Sequence, residues 1–169
     1  VPPTATGMPH DMLYLGRMLQ PMLEKALPES RYIDNIPVTP TSPQEDEIAI
    51  ANMSPISFYH ALYFPQRFDF FLDRGLFFDG ADERDIAGWE QAFTLFLRKL
   101  AYVQGERLLI KNPVYTARAA ILKRLFPKAK FIHIHRDPFD VFLSMRNFYA
   151  KLLKVMALQP YDHVDIDAT

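Results

Sequence analysis

The fold of this chain is decided by residues 105–138, which read GERLLIKNPVYTARAAILKRLFPKAKFIHIHRDP. Two apolar runs in this stretch, residues 107–111 and residues 130–135, have the length and composition of short buried strands. The residues between them favour a helix that begins near Thr116 and ends before Pro127. Strand, helix and strand with short connections predict two parallel strands in one sheet.

A further helix follows the second run and completes a βαβα unit. Its apolar side chains recur at steps of three and four residues: Val141, Met145, Phe148, Leu152 and Met156. We therefore predict an α/β fold with a parallel sheet, in which the βαβα part covers about 105–158. The preceding part, about 1–104, is predicted to be rich in helices, and the whole chain, 1–169, is predicted to be one partial domain.

Two patterns define the helix-rich part. A helix that begins near Asp85 and ends at Gly105 has one apolar face, formed by Ile86, Trp89, Phe93, Phe96, Leu97 and Leu100. Residues 55–80 are dense in aromatic side chains, which either pack a helical subdomain or line a pocket for an apolar or sugar acceptor.

Composition excludes several classes of function. The chain has 169 residues and a net charge of −1, so no broad basic field recruits nucleic acid. The absence of cysteine excludes disulfides, thiolate metal sites and cysteine nucleophiles, and it suits a reducing, cytoplasmic compartment. No apolar run has the length of a membrane span, and the start at Val1 has neither a methionine nor the features of a signal peptide. We therefore expect a fragment or a processed piece.

The ends of the two predicted strands carry charged residues. Lys111 ends the first and Arg136 follows the second, at the sheet edge where ligands bind in parallel sheets. Arg136 also precedes a helix whose N-terminus attracts anions, and Ser144 follows eight residues later. This arrangement predicts a phosphate site. The alternatives are a solvated ion pair between Arg136 and Asp137, and a Lys111 side chain that only extends from a buried strand to water.

The acidic segment Glu45-Asp46-Glu47 allows two interpretations. Ser42, Pro43 and Glu45 could start a helix as N-cap, first residue and capping-box member. Alternatively, Glu45 or Glu47 acts in catalysis or contacts a substrate.

The paired histidines His133 and His135 point to the same face of the predicted strand and could bind a metal. No acidic residue or further histidine lies at a helpful spacing, so we predict no metal site.

The core of the sequence resembles the sulfotransferase family. The likeness lies in Lys111-Asn112-Pro113, residues 125–138, Val141 and Ser144, as in the broad group of microbial sulfotransferase-like proteins, and it is similar to tyrosylprotein sulfotransferases. It covers about 105–149 clearly and extends weakly back to about residue 8. The resemblance implies a three-layer fold related to that of P-loop proteins. It also implies a nucleotide-binding enzyme that moves a sulfuryl group from 3′-phosphoadenosine 5′-phosphosulfate to an acceptor hydroxyl or amine, without a metal.

The same resemblance implies roles for individual residues. Arg136 and Ser144 would hold the 3′-phosphate of the donor, and Lys111 would lie near its sulfuryl group. Residues 42–47 resemble an acidic segment common in the group, so Glu45 or Glu47 would accept the acceptor's proton, unless the base lies outside this chain. The acceptor would be a small molecule, a carbohydrate or a lipid.

The sequence departs from the family pattern at several points. It contains no Gly-Lys-Ser or Gly-Lys-Thr, so the loop that grips the 5′-phosphosulfate is missing. The segment that closes over the nucleotide is also expected to be missing after Thr169. Related sequences often carry histidine where this one has Tyr115, which puts a general base at that position in doubt, because tyrosine has a reference pKa near 10.

Two competing functions remain open at this point. A P-loop-related nucleotide kinase or hydrolase shares the layered fold but would need a Walker-type loop and an aspartate that holds Mg²⁺. A non-catalytic remnant of a sulfotransferase, binding partners through its aromatic face, would need neither.

Overall fold

The structure is a computed structural model that describes residues 1, 3–14, 18–19, 21–22, 25, 30, 37, 39, 42–105 and 107–167. The α-helices discussed below are α1 (Pro3–Gly7), α2 (Glu47–Ala51), α3 (Tyr59–Tyr63), α4 (Phe68–Phe77), α5 (Glu83–Gln104), α6 (Ala119–Leu125) and α7 (Pro138–Met156). Two short 3-10 helices cover Pro65–Arg67 and Pro113–Thr116. An isolated antiparallel bridge joins Ser30 and Pro37.

The predicted parallel sheet and three-layer α/β fold are wrong for this structure, because the described residues contain no strand. Residues 107–111 and 130–135 follow the chain without regular secondary structure. In the second run the apolar side chains are exposed, with Ile132 at 84% and Ile134 at 76%. A strand needs a neighbour for its backbone N–H and C=O groups. Neither run pairs with a neighbouring strand within the described part, so apolar composition alone did not produce a sheet.

The helices predicted around these runs are present. α5 begins after Asp82, whose side chain accepts a 2.8 Å hydrogen bond from the backbone N–H of Asp85. It ends at Gly105, whose φ of 103° is in the region that favours glycine. α6 and α7 likewise follow the predicted apolar periodicity, α6 starting slightly later than Thr116.

The buried face of α5 forms the first hydrophobic cluster. Trp89, Phe93, Phe96 and Leu100 are buried as the pattern predicted, and they pack with buried residues of α2. This cluster places α2 beside the segment that follows residue 107, which brings distant acidic and basic residues together.

Five aromatic residues of 55–80 build a second cluster with α7: Phe58, Tyr59, Tyr63, Phe68 and Phe71. Phe68 and Tyr149 meet edge to face with ring centroids 5.7 Å apart, and Leu153 is fully buried beside them. The predicted packing of a helical subdomain by these aromatic residues is therefore confirmed.

One glycine sets how closely α4 approaches the segment before α3. A Cβ atom on Gly75 would lie 2.6 Å from the backbone N of Phe58, a distance that side chains do not occupy. The close approach leaves the carbonyl of Gly75 facing the buried interior, where it accepts a hydrogen bond from Arg118.

Within the described ranges, none of the helices is both long enough and apolar enough to span a bilayer.

Candidate active site

The acidic segment lies at the start of α2 rather than inside a helix. Helix α2 begins at Glu47, and Asp46 occupies the N-cap position without a capping side-chain bond. The hydroxyl of Ser42 accepts a 2.8 Å bond from the backbone N–H of Thr39. The predicted capping box with Ser42, Pro43 and Glu45 is therefore wrong. The three carboxylates instead meet groups from residues 111–118.

The first carboxylate, Glu45, pairs with Lys111. The Lys111 Nζ lies 2.6 Å from the Glu45 Oε1. The side chains remain 71% and 30% exposed respectively, so a ligand can reach this pair. Two of the predicted catalytic residues are thus brought together across the chain.

The second carboxylate, Asp46, is fully buried and accepts hydrogen bonds from neutral groups. The Asn112 Nδ2 donates to its Oδ1 at 3.2 Å, and the Tyr115 hydroxyl donates to its Oδ2. Burial and, to a lesser extent, the negative charge of Glu47 together raise the pKa of Asp46 to about 7, against the opposing effect of the Asn112 hydrogen bond.

The third carboxylate, Glu47, forms a buried ion pair with Arg118. The guanidinium donates to both carboxylate oxygens, at 3.0 and 3.2 Å. The Ser57 hydroxyl and the backbone N–H of Phe58 also donate to Glu47 Oε1, at 2.8 and 3.0 Å. Both charged side chains have no exposed surface. Glu47 is therefore enclosed by the protein, whereas Glu45 is accessible.

Aromatic rings and a carbonyl complete the surroundings of Arg118. Its guanidinium carbon lies 4.8 Å from the centre of the Trp89 ring and 5.1 Å from that of Phe78. Its Nη2 also donates to the carbonyl oxygen of Gly75. This arginine thus ties α2, α4 and α5 to the short segment that follows Lys111.

The predicted phosphate residues lie at the exposed start of α7. Arg136 directly precedes Asp137, the N-cap residue, and Ser144 lies about two turns into the helix. Both side chains are exposed. The Asp137 carboxylate accepts bonds from the N–H groups of Phe139 and Asp140, at 2.8 and 3.4 Å. The helix N-terminus is therefore partly occupied by its own cap, which leaves the side chains of Arg136 and Ser144 as the groups that could meet a phosphate.

Sequence reasoning missed Arg118 altogether, and it named Asn112 only as part of the family motif and Tyr115 only as a departure from the family pattern. Arg118 had a detectable pattern, because it shares the helical spacing of Ile121, Leu122 and Leu125 on an apolar face. A charged residue on such a face needs a buried partner. The role of Asp46 had no such pattern, since it depends on the burial of one carboxylate between two others.

Across the described part of the chain, no group of three or more histidine, aspartate or glutamate side chains could hold a metal ion.

Comparison with known proteins assigns the chain that carries this lysine–carboxylate pair and this arginine to a family. The model of the sulfotransferase family matches residues 43–169, and the chain belongs to this family. It is 29% identical over 154 residues to the omega-hydroxy-beta-dihydromenaquinone-9 sulfotransferases Stf3 of Mycobacterium bovis and Mycobacterium tuberculosis. The match covers 89% of this chain and 38% of the length of each relative. No solved structure matches the chain.

Proposed function

We propose that this chain contributes to a sulfotransferase that moves a sulfuryl group from 3′-phosphoadenosine 5′-phosphosulfate to an acceptor hydroxyl or amine. The observation that carries the proposal is the accessible Lys111–Glu45 pair, at 2.6 Å, in a chain of the sulfotransferase family. The family match favours this function over the nucleotide kinase or hydrolase considered from the sequence. Detectable sulfuryl transfer by the protein would decide against the non-catalytic alternative.

The donor nucleotide would be held at the start of α7. Arg136, just before α7, would supply a guanidinium fork for the 3′-phosphate, and the Ser144 hydroxyl on α7 would add a donor. Supporting this, the side chains of both residues are exposed. We propose that they position the nucleotide and take no part in the transfer itself.

Lys111 would act on the sulfuryl group. The reaction is an in-line displacement, in which positioning and charge neutralisation do most of the work. The acceptor oxygen forms a bond to sulfur as the bond from sulfur to the bridging oxygen breaks, and the electron pair stays on that oxygen. Lys111, moving from Glu45 to the donor, would stabilise this developing charge.

Glu45 and Glu47 differ in whether an acceptor can reach their carboxylates. Glu47 has both oxygens engaged by Arg118, and it has no exposed surface. Glu45 is accessible, and in the present geometry it holds Lys111 in place. The base role expected for either of them stays a prediction, and Glu45 is the one that an acceptor can reach.

The acceptor is proposed to carry a hydroxyl group on a lipid or another small molecule. The mycobacterial relatives are named for a hydroxylated menaquinone, and their names support this class over a carbohydrate. The net charge of −1 gives no support to a nucleic-acid partner. A cytoplasmic location stays a prediction.

Calorimetric titration of the full-length protein with the product nucleotide, 3′,5′-adenosine bisphosphate, tests the proposal. Arg136→Ala should weaken binding about 10- to 150-fold, because a hydrogen-bonded charge contributes roughly 1.5–3 kcal/mol. Arg124→Ala is the matched control, since Arg124 is also exposed but pairs with Glu90 on α5. Equal affinity of the Arg136 variant and the unmodified protein would contradict the donor site, and no binding by the unmodified protein would contradict the function.

A further inference from the structure

The three neighbouring carboxylates differ in the groups that donate to them. Glu45 receives Lys111 and Glu47 receives Arg118, so each of these carboxylates faces a permanent cation. Asp46 instead receives an amide from Asn112 and a hydroxyl from Tyr115. Of these two groups, the hydroxyl exchanges its proton readily. Asp46 is therefore the carboxylate of the three that is placed to accept a proton from its hydrogen-bond donor.

Tyr115 connects this buried carboxylate to the outside. Its side chain is half-buried, whereas that of Asp46 has no exposed surface. The Tyr115 ring is fixed by an edge contact with Phe93, with centroids 5.7 Å apart. It lies in the 3-10 helix directly after Asn112, whose neighbour Lys111 holds Glu45. The half-buried phenol, which donates to the buried carboxylate, therefore links Asp46 to the surface of the protein.

We propose that Tyr115 and Asp46 form the proton relay of this site: Tyr115 removes the proton of the acceptor hydroxyl and passes its own proton to Asp46. The relay rests on the proposed sulfuryl transfer and adds the route by which the acceptor loses its proton. Tyr115 is the catalytic residue of this relay, because the acceptor's proton passes directly to its oxygen. Asp46 acts through Tyr115 and is a positioning and proton-holding residue.

The atoms balance in one concerted step. The acceptor O–H proton goes to the Tyr115 oxygen while the Tyr115 proton goes to Asp46 Oδ2. The acceptor oxygen forms its bond to sulfur, and the nucleotide leaves with the electron pair of the broken bond. Afterwards Asp46 returns a proton to Tyr115, which releases one to solvent. Tyrosine never has to exist as a free phenolate, which its reference pKa near 10 would disfavour.

The charge state of Asp46 controls the direction of the hydrogen bond. The ionised carboxylate accepts from Tyr115 and leaves the phenol oxygen free to accept from outside; the protonated carboxyl donates to Tyr115 and blocks the relay. Because burial raises the pKa of Asp46 to about 7, both states are populated near neutrality.

Several charged or titratable groups face Asp46. They are Glu45 and Glu47 on its own segment, Tyr115 on the opposite segment, and the amino group of Val1. Lys111 pairs with Glu45 and Arg118 pairs with Glu47, so each cation partly cancels a negative charge that opposes ionisation of Asp46.

Rate measurements between pH 5.5 and 9 on the full-length protein test the relay. In the unmodified protein, kcat/KM should rise with pH to a plateau, with a midpoint near 7. Asp46→Asn and Tyr115→Phe should lose this rise and about 10²- to 10⁴-fold of the plateau rate, the usual contribution of general base catalysis. Glu45→Gln should keep the rise, and Tyr102→Phe, at an exposed tyrosine, should match the unmodified protein.

The opposite pattern would overturn the proposal: a rise that disappears in Glu45→Gln but persists in Tyr115→Phe makes Glu45 the base. Carbon-detected NMR titration of the Asp46 carboxyl gives a readout independent of turnover. A midpoint near 7 that moves in Tyr115→Phe supports the relay, whereas a midpoint below 5 overturns it.

Binding of 3′,5′-adenosine bisphosphate separates failure of the relay from failure of the proposed function. Tyr115→Phe and Asp46→Asn should bind this nucleotide as the unmodified protein does, because neither residue is assigned to the donor. Normal binding together with an intact pH rise in both variants contradicts the relay alone. Absence of binding in the unmodified protein contradicts the function itself.

Discussion

Arg118 is enclosed by Glu47, Gly75 and two aromatic rings, whereas Arg136 lies exposed just before α7. The first arginine has bonding partners on three sides and no contact with water. The second has no hydrogen bond or ion pair with any other described residue. One guanidinium is committed to holding elements together, and the other is available to an anion. Residue type alone therefore does not distinguish a structural arginine from a candidate ligand-binding one; burial and pairing do.

The largest expected effect comes from breaking the buried pair. Arg118→Leu leaves the Glu47 carboxylate without its cation inside the protein, and we expect the free energy of unfolding to fall by about 3–5 kcal/mol. Urea denaturation followed by circular dichroism measures it. Arg136→Leu is the matched control and should change stability little, because its side chain is exposed. Similar losses in both variants would remove the contrast between the two arginines.

A second test uses the pH dependence of stability. The pKa of Asp46 is raised from 3.8 to about 7 in the folded state. Its contribution to stability is therefore complete below pH 4 and is lost as the pH rises through 7, since the unfolded chain ionises first. In the Asp46→Asn variant, residue 46 does not titrate and contributes no pH dependence to stability. Relative to the unmodified protein, this variant should gain up to roughly 4 kcal/mol between pH 4 and pH 8.

Urea denaturation of both proteins at several pH values gives that difference directly, because contributions from other groups cancel. Asn112→Ala is a useful companion, since it removes a hydrogen bond that favours the ionised carboxyl and should extend the pH-dependent loss of stability to higher pH. A stability difference between Asp46→Asn and the unmodified protein that stays constant with pH would mean that Asp46 titrates as an ordinary aspartate.

A smaller effect is expected at the close approach that serves Arg118. Gly75→Ala would place a Cβ against the backbone of Phe58, so we expect a loss of about 1–3 kcal/mol in the free energy of unfolding. Gly88→Ala, on α5, meets nothing within 4 Å and should instead stabilise by about 0.5–1 kcal/mol through helix propensity. Denaturation curves of the two variants that shift in the same direction would contradict the tight packing at Gly75.

The helices could be predicted because their causes are local. The spacing of Trp89, Phe93 and Phe96 and the glycine at 105 define α5, and the Asp137-Pro138 start defines α7. The predicted sheet was wrong, because the runs at 107–111 and 130–135 have the composition of strands but composition does not supply a partner strand.

The site shows the same division between local and distant information. Lys111 stood out by its position at the end of an apolar run, but its partner Glu45 lies 66 residues earlier. Nothing in either segment alone indicates that they meet. The sequence also did not show that the three carboxylates of the acidic segment have different environments. Asp46 and Glu47 differ from Glu45 because packing buries them.

Trp89 is the only tryptophan of the chain, and it lies directly beneath the guanidinium of Arg118. Its ring also stacks on Phe93, with centroids 5.0 Å apart. The intrinsic fluorescence of the protein on excitation of indole therefore arises at a single place, next to the buried ion pair. Any loosening of that cluster changes the emission of Trp89. The opening of the buried ion pair can therefore be followed by tryptophan fluorescence without an added label.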